Sequence, residues 1–268
     1  MAVVKYPGDS PKLVGDDVFV YPEIDDGAVH AFWLPSGKQL KDGDRLFVAG
    51  SFGDDSDSGR PANLAALKVA TNEDGEREIK VDKDWAPGIE GPVYALAAGN
   101  NRLYIGGAFT EVAGKYRGRA AALGVADGGL VEGWAPDTDG DVHSLAFQSQ
   151  HGEEGKVYIG GDFGMAASGE QRHNIAAFNA KTGQLMDWAP EFDDSVMALL
   201  QDGNNVYVGG EFNEHLVKLT NPLGSDSQES ISSADGAVYD LLQADDAGND
   251  DSNIWVAGSK GVGYIDGS

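Results

Sequence analysis

The sequence predicts an all-β fold, a five-bladed β-propeller closed by an N-terminal strand that completes the C-terminal blade. Three observations predict it. A short apolar strand ending in Gly-Gly-x-Phe, or a close variant, recurs at Leu46–Phe52, Leu103–Phe109, Val157–Phe163 and Val206–Phe212, with a weaker fifth copy at Ile254–Gly258. The second glycine falls at 50, 107, 161, 210 and 258, giving steps of about 57, 54, 49 and 48 residues, in the range of propeller repeats. The last unit stops one strand short, and a match to the missing piece lies at the other end of the chain.

Each unit opens on a strand led by valine: Val29–Phe32, Val93–Leu96, Val142–Leu145, Val196–Leu199 and Val238–Leu241. The Gly-Gly strand comes second. A third run follows at Asn63–Leu67, Arg119–Leu123, Asn174–Phe178 and, more loosely, His215–Leu219. Trp-Ala-Pro closes the unit at 85–87, 134–136 and 188–190. Short β runs separated by Gly, Asp and Asn turns form an antiparallel sheet, and radial repetition of four-stranded sheets is a propeller. One such sheet cannot bury both of its faces, so neighbours must cover it. The blades are expected at about 28–87, 92–136, 141–190, 195–233 and 237–266, within a single domain of 268 residues. The fourth blade is the poorest, since a Ser-rich stretch around Ile231 replaces Trp-Ala-Pro. The fifth is completed by residues 17–22, because Val18–Asp26 matches the segment around Trp188–Asp194.

Bulk composition narrows the function. There is no cysteine, so disulfides and thiolate chemistry are excluded. The formal charge is −25, from 44 acidic against 19 basic residues, which repels nucleic acid and anionic lipid. The carboxylates are spread along the chain in turn-like runs such as Asp193-Asp194 and Asp250-Asp251. That pattern favours adaptation to high salt over an ordinary acidic protein. No stretch is long enough to span a membrane, and the start Met1–Asp9 does not read as a signal peptide. The expectation is an extracellular, cell-surface or virion protein without membrane insertion, or a cytosolic one.

The run Val157–Phe163, followed by Arg172 and then Asn174–Pro190, resembles the delta-sixty propeller repeats of bacterial and archaeal surface proteins. The resemblance is strongest over residues 93–212. It implies a propeller with a surface habit and no defined catalytic residues. Kelch propellers share the Gly-Gly but place their tryptophan elsewhere. Asn179–Trp188 is similar to the tryptophan-docking repeats of quinoprotein dehydrogenases, whose propellers need more blades than this chain supplies.

Turns after the fourth strands and loops after Gly-Gly-x-Phe are expected on one face, the usual ligand surface of a propeller. Asp25, Asp26, Trp33, Arg117, Asp141, Arg172 and Asp194 are the candidate binding residues there. Asp137, Asp139 and Asp141 alternate as in a calcium loop, but lack its glycine and distal glutamate. They hold Ca²⁺ or simply form turns. His30 and His143 share a repeat slot with Tyr94, Met197 and Tyr239, so a large side chain packed between blades is expected rather than zinc. Arg117 and Arg172 could grip a carboxylate or sugar ligand, but the favoured expectation is that each ties down its own long loop through a local acidic partner. Trp85, Trp134 and Trp188 read as wedges, whereas Trp33 lies outside the repeat and suits an exposed contact. The resulting expectation is a non-catalytic scaffold, without cofactor, binding protein or glycan. The alternative is a glycoside hydrolase using the acidic mouth, with Asp240 the only acid within the first-strand markers.

Overall fold

The computed structural model describes residues 27–35, 40–53, 61–73, 75, 77–149, 155–220, 227–230, 235–244 and 253–266. Every regular element among them is a β-strand. Five main meander sheets follow one another along the chain, beside two small loop sheets (Ile89–Glu90, Glu111–Val112 and Lys115–Tyr116; Met165–Ala166 and Glu170–Gln171), and all neighbours are antiparallel. Sheet I comprises Gly27–Trp33, Arg45–Phe52, Leu64–Thr71 and Arg77–Val81. Sheet II comprises Val93–Gly99, Arg102–Gly107 and Ala120–Gly124. Sheet III comprises Val142–Gln148, Lys156–Gly161 and Ile175–Asn179. Sheet IV comprises Val196–Asp202, Asn205–Gly210, Leu216–Thr220 and Ser227–Ser230. Sheet V comprises Val238–Ala244, Asn253–Gly258 and Gly261–Asp266. First strands of successive sheets lie against one another from I to V.

The sequence expectation of four strands per unit is met in sheets I and IV. In sheets II and III the closing segment makes a single bridge, Leu123 to Leu130 and Phe178 to Leu185. It then leaves its sheet because its tryptophan is drawn into the next one. Trp85 and Trp134 are fully buried. Their indole N–H groups donate to Gly124 O (3.1 Å) and Asn179 O (3.2 Å), equivalent positions at the end of the next sheet's third strand. Trp188 is buried against Val206, Val217 and Leu219 of sheet IV. The segment 17–22 lies outside the described residues.

The two glycines of the repeat have different tasks. A Cβ on the first would strike the leading valine of the following sheet: Gly106 meets Val142, Gly160 meets Val196 and Gly209 meets Val238. That valine is thereby fully buried, and the absence of a side chain lets two sheets approach closely. The second glycine faces a β-bulge in its own sheet. Every first strand slips by one residue, between Val29 and Ala31, Val93 and Ala95, Val142 and Ser144, Val196 and Ala198, and Val238 and Asp240. The bulge drives a carbonyl (Ala28, Pro92, Asp141, Ser195 or Ala237) against the glycine, where any Cβ would collide with it. The next amide donates to that carbonyl, as from Asp162 N to Asp141 O at 3.0 Å.

Candidate functional site

The bulge sets the site. Its extra residue is His30, Tyr94, His143, Met197 or Tyr239, the shared slot of the repeat, and it sits where the chain enters each sheet. Neighbouring extra residues meet. His30 stands edge-on to Tyr94 with ring centroids 5.2 Å apart, and Tyr94 stacks on His143 at 5.6 Å. The slot therefore does pack between sheets, as the repeat implied. It does so at the rim rather than in the core, because an extra residue is forced out of the ladder.

Polar groups frame this aromatic arc. His143 Nε2 lies 2.9 Å from Asp162 Oδ1, and His30 Nε2 lies 3.0 Å from Ser51 Oγ. Asp162 and Ser51 occupy the same repeat position, directly after the second glycine. Burial, and then the carboxylates of Asp141 and Asp162, hold the Tyr94 hydroxyl above its ordinary pKa. It stays protonated at neutral pH. Arg119 Nε donates to Asp141 Oδ1 at 3.1 Å and Arg119 Nη1 to Thr138 O at 3.3 Å.

Arg119 occupies a strained position, with φ at 63°. Its repeat equivalents Asn63, Asn174 and His215 share the left-handed region at 58°, 67° and 59°. In each copy the carbonyl of this residue accepts the second glycine's amide, at 2.9 to 3.0 Å. Asparagine tolerates that backbone readily, and Asn63 and Asn174 use their side chains to bind Ile89 O and Phe192 O. Arginine at 119 keeps the corresponding contact, to Thr138 O, and adds an ion pair at the rim.

The two loop families meet at this rim. Gly118 N donates to Asp137 Oδ1 (3.2 Å), and Gly164 N and Met165 N donate to Asp139 Oδ1 (2.9 and 2.8 Å). Asp193 binds Asn213 in the same way. Hence Asp137, Asp139 and Asp141 each engage a different partner, namely two loops and Arg119, and do not converge. Among the described residues no group of three His, Asp or Glu side chains is spaced to share a metal ion. Asp194 Oδ1 accepts the amide of Ser195 at 2.8 Å and points at its own turn. Asp25 and Asp26 lie outside the described residues.

Three candidates from the sequence have their partners within the chain. Trp33 is half-buried and packs on Phe47 (5.9 Å) instead of standing free, because it continues the alternation of its strand. Arg117 is buried and binds Tyr116 O (2.8 Å), Glu132 O and Glu132 Oε2 (both 3.3 Å). Arg172 binds Gln171 O (2.7 Å) and Met186 O (3.1 Å). Both arginines thus pin their own loop to the residue two before the tryptophan. That is the loop-tying role offered by the sequence, with Glu132 as the acidic partner of Arg117. Lys115 adds to this clamp, and its hydrogen bond, with help from Arg117, holds the Glu132 carboxyl below its usual range. The residues that sequence reasoning left out of the site are Tyr94, Arg119, His143 and Asp162. The signal for them was their repeat register beside the glycine pair.

Ser144 follows His143, yet it points away from the rim, toward Gly160 and Val196, and its buried Oγ has no hydrogen-bond partner. Asp240 is exposed, and its Oδ1 accepts Leu241 N at 2.9 Å. The rim offers aromatic faces, hydrogen-bond donors and carboxylates, a set suited to recognition.

No protein-family model matches the sequence, and no curated protein matches it. Solved structures do. The computationally designed Ika8 protein is similar over 85% of this chain, with 16% identity and a TM-score of 0.52, and the chain spans 57% of that protein's length. The computationally designed Ika4 protein matches 67% of this chain and 93% of its own, at 18% identity and a TM-score of 0.46. BBS1N, solved in complex with ARL6DN, matches 84% of this chain and 74% of its own, at 15% identity and a TM-score of 0.46. At these identities the likeness concerns the fold alone. The chain is an all-β repeat protein of antiparallel sheets packed side by side.

Proposed function

We propose that this protein is a non-catalytic interaction module, a five-bladed β-propeller that binds a protein or glycan partner on the rim carrying Tyr94, His143 and Asp162. In this reading the five sheets close into a ring, with sheet V beside sheet I. One observation carries the binding reading. An irregularity repeated in all five sheets brings His30, Tyr94 and His143 of sheets I, II and III together, at the end where the long loops open. Recognition residues belong on loops and rims held by a rigid scaffold.

The net charge of −25 and the resemblance to surface-protein repeats favour a high-salt surface or virion setting, as in a tail or receptor-binding part. Arrays of glycans and of surface-protein fragments, probed in concentrated KCl, test the reading. Binding is expected to fall at least tenfold in the Tyr94→Ala/His143→Ala double variant while the melting temperature holds. Full binding by that variant overturns the assignment of the rim. A melting temperature indifferent to KCl overturns the salt adaptation.

A further inference from the structure

We propose that the bare face of sheet V is the receptor for the leading edge of sheet I of the same chain, with Val29 seated against Ala257. The inference rests on the closed-ring reading above and adds which residues make the seam.

Each internal junction is built alike. The valine opening one sheet is inserted against a Gly or Ala in the second strand of the sheet before it. Val142 meets Gly106, Val196 meets Gly160 and Val238 meets Gly209. At the first junction Ala49 and Val93 share one buried cluster, so alanine also fits this position. The two ends of the row carry the unmatched halves of a fifth copy. Val29 is 44% exposed, whereas Val93, Val142, Val196 and Val238 are buried. Ala257 is the equivalent of Ala49 by register, since Ala257 pairs with Asp240 as Ala49 pairs with Ala31.

The rest of that face agrees. Trp255, Val262 and Tyr264 share it with Ala257 through the pairs Trp255–Tyr264 and Ala257–Val262. Val262 is 74% and Tyr264 65% exposed, yet their equivalents Ala120 and Ala122 in sheet II are fully buried. So large an apolar patch on one sheet face calls for a cover. Continuity with four junctions of the same design identifies sheet I as that cover.

The absence of cysteine makes a direct test available. At the internal junctions the valine Cβ lies 3.0 to 3.1 Å from where a Cβ on the glycine would be. Slight relaxation brings such a pair to the ~3.5–4.5 Å of a disulfide. The Val29→Cys/Ala257→Cys variant is oxidised at low protein concentration and read by intact mass and non-reducing electrophoresis. The Ala49→Cys/Val93→Cys variant is the positive control at an existing junction. An intramolecular disulfide in monomers of both is expected. Free thiols in the seam variant, with the control oxidised, overturn the proposal. Disulfide-linked dimers also overturn it, by making a second copy the occupant. Loss of the seam disulfide with rim binding intact removes the seam and leaves the rim reading standing. A second measurement is independent of disulfide chemistry. Asp240 lies on this face where Ala95 and Ala198 are buried, so Asp240→Ala is expected to raise Tm by about 2 °C or more. No change places Asp240 in solvent and counts against the seam.

Discussion

Sheets III and V share one architecture and differ in their neighbours. Both have three antiparallel strands, a bulge one residue into the first strand and a second glycine pressed against a bulge carbonyl. Sheet III is clamped between a tryptophan from sheet II and a valine from sheet IV, and its central strand is buried. Sheet V keeps the same hydrogen bonds while Trp255, Val262 and Tyr264 lie open. Backbone pairing and bulge are therefore properties of each repeat alone, whereas burial is a property of the junction. That division is expected of repeat architectures, whose stability is a sum of unit and nearest-neighbour terms.

The largest test of this contrast adds volume at one junction and at its unmatched counterpart. Gly160→Leu drives a side chain into Val196 and is expected to cost on the order of 4 kcal/mol or more, read as lost folding in urea titration. Ala257→Leu should cost as much if Val29 occupies the same place, and almost nothing if sheet V stays open. Removing a wedge comes next. Trp134→Ala should cost about 3–5 kcal/mol, since the indole is fully buried and hydrogen-bonded to Asn179 O. Trp33→Ala, half-buried at the end of sheet I, should cost less than half of that.

A pH contrast follows from the tyrosines at the interior junctions. Burial raises the pKa of Tyr158, whose hydroxyl donates to Gln148 Oε1 at 2.9 Å. The folded state thus favours the protonated phenol. Its contribution is whole below the unfolded value of about 10 and is lost as pH rises beyond it. Urea midpoints at pH 8 and 11 should diverge in the parent and diverge less in Tyr158→Phe, which gives up about 1 kcal/mol at pH 8.

These contrasts also show what a sequence can disclose. The glycine pair, the leading valine and the tryptophan were legible because each serves every repeat, so their spacing survives insertions in the loops. The bulge was not legible, since Val-His-Ala-Phe and Val-Tyr-Ala-Leu read as unbroken strands and the slip appears only in the pairing. The rim escaped notice for the same reason, because Tyr94 and His143 leave the core at that slip. Arg117 and Arg172 could be read as loop ties, and Glu132 is the acidic partner of Arg117, but their remaining partners are backbone carbonyls, which carry no sequence signature. Arg119 was read as part of a strand motif, although its left-handed backbone turns it to Asp141.

The same residue supplies a small but sharp test. Arg119→Asn restores the side chain found at 63 and 174, which suits a positive φ and can still reach Thr138 O. Stability should stay within about 0.5 kcal/mol, since an exposed ion pair is worth little. Rim binding should change nonetheless, because Asp141 loses its cation and its carboxylate turns free.

The smallest expected effect concerns calcium. Asp139 Oδ1 already accepts two loop amides, Asp137 accepts one, and Asp141 is paired with Arg119. A cation at this turn would have to break those bonds before three carboxylates could face it. Chelator at constant ionic strength should therefore leave Tm unchanged in the parent and in Asp139→Asn alike. A drop in the parent alone would show that the turn rearranges around an ion. The rim would then be held by metal coordination, whereas the opposite ends of the same sheets are held by packing.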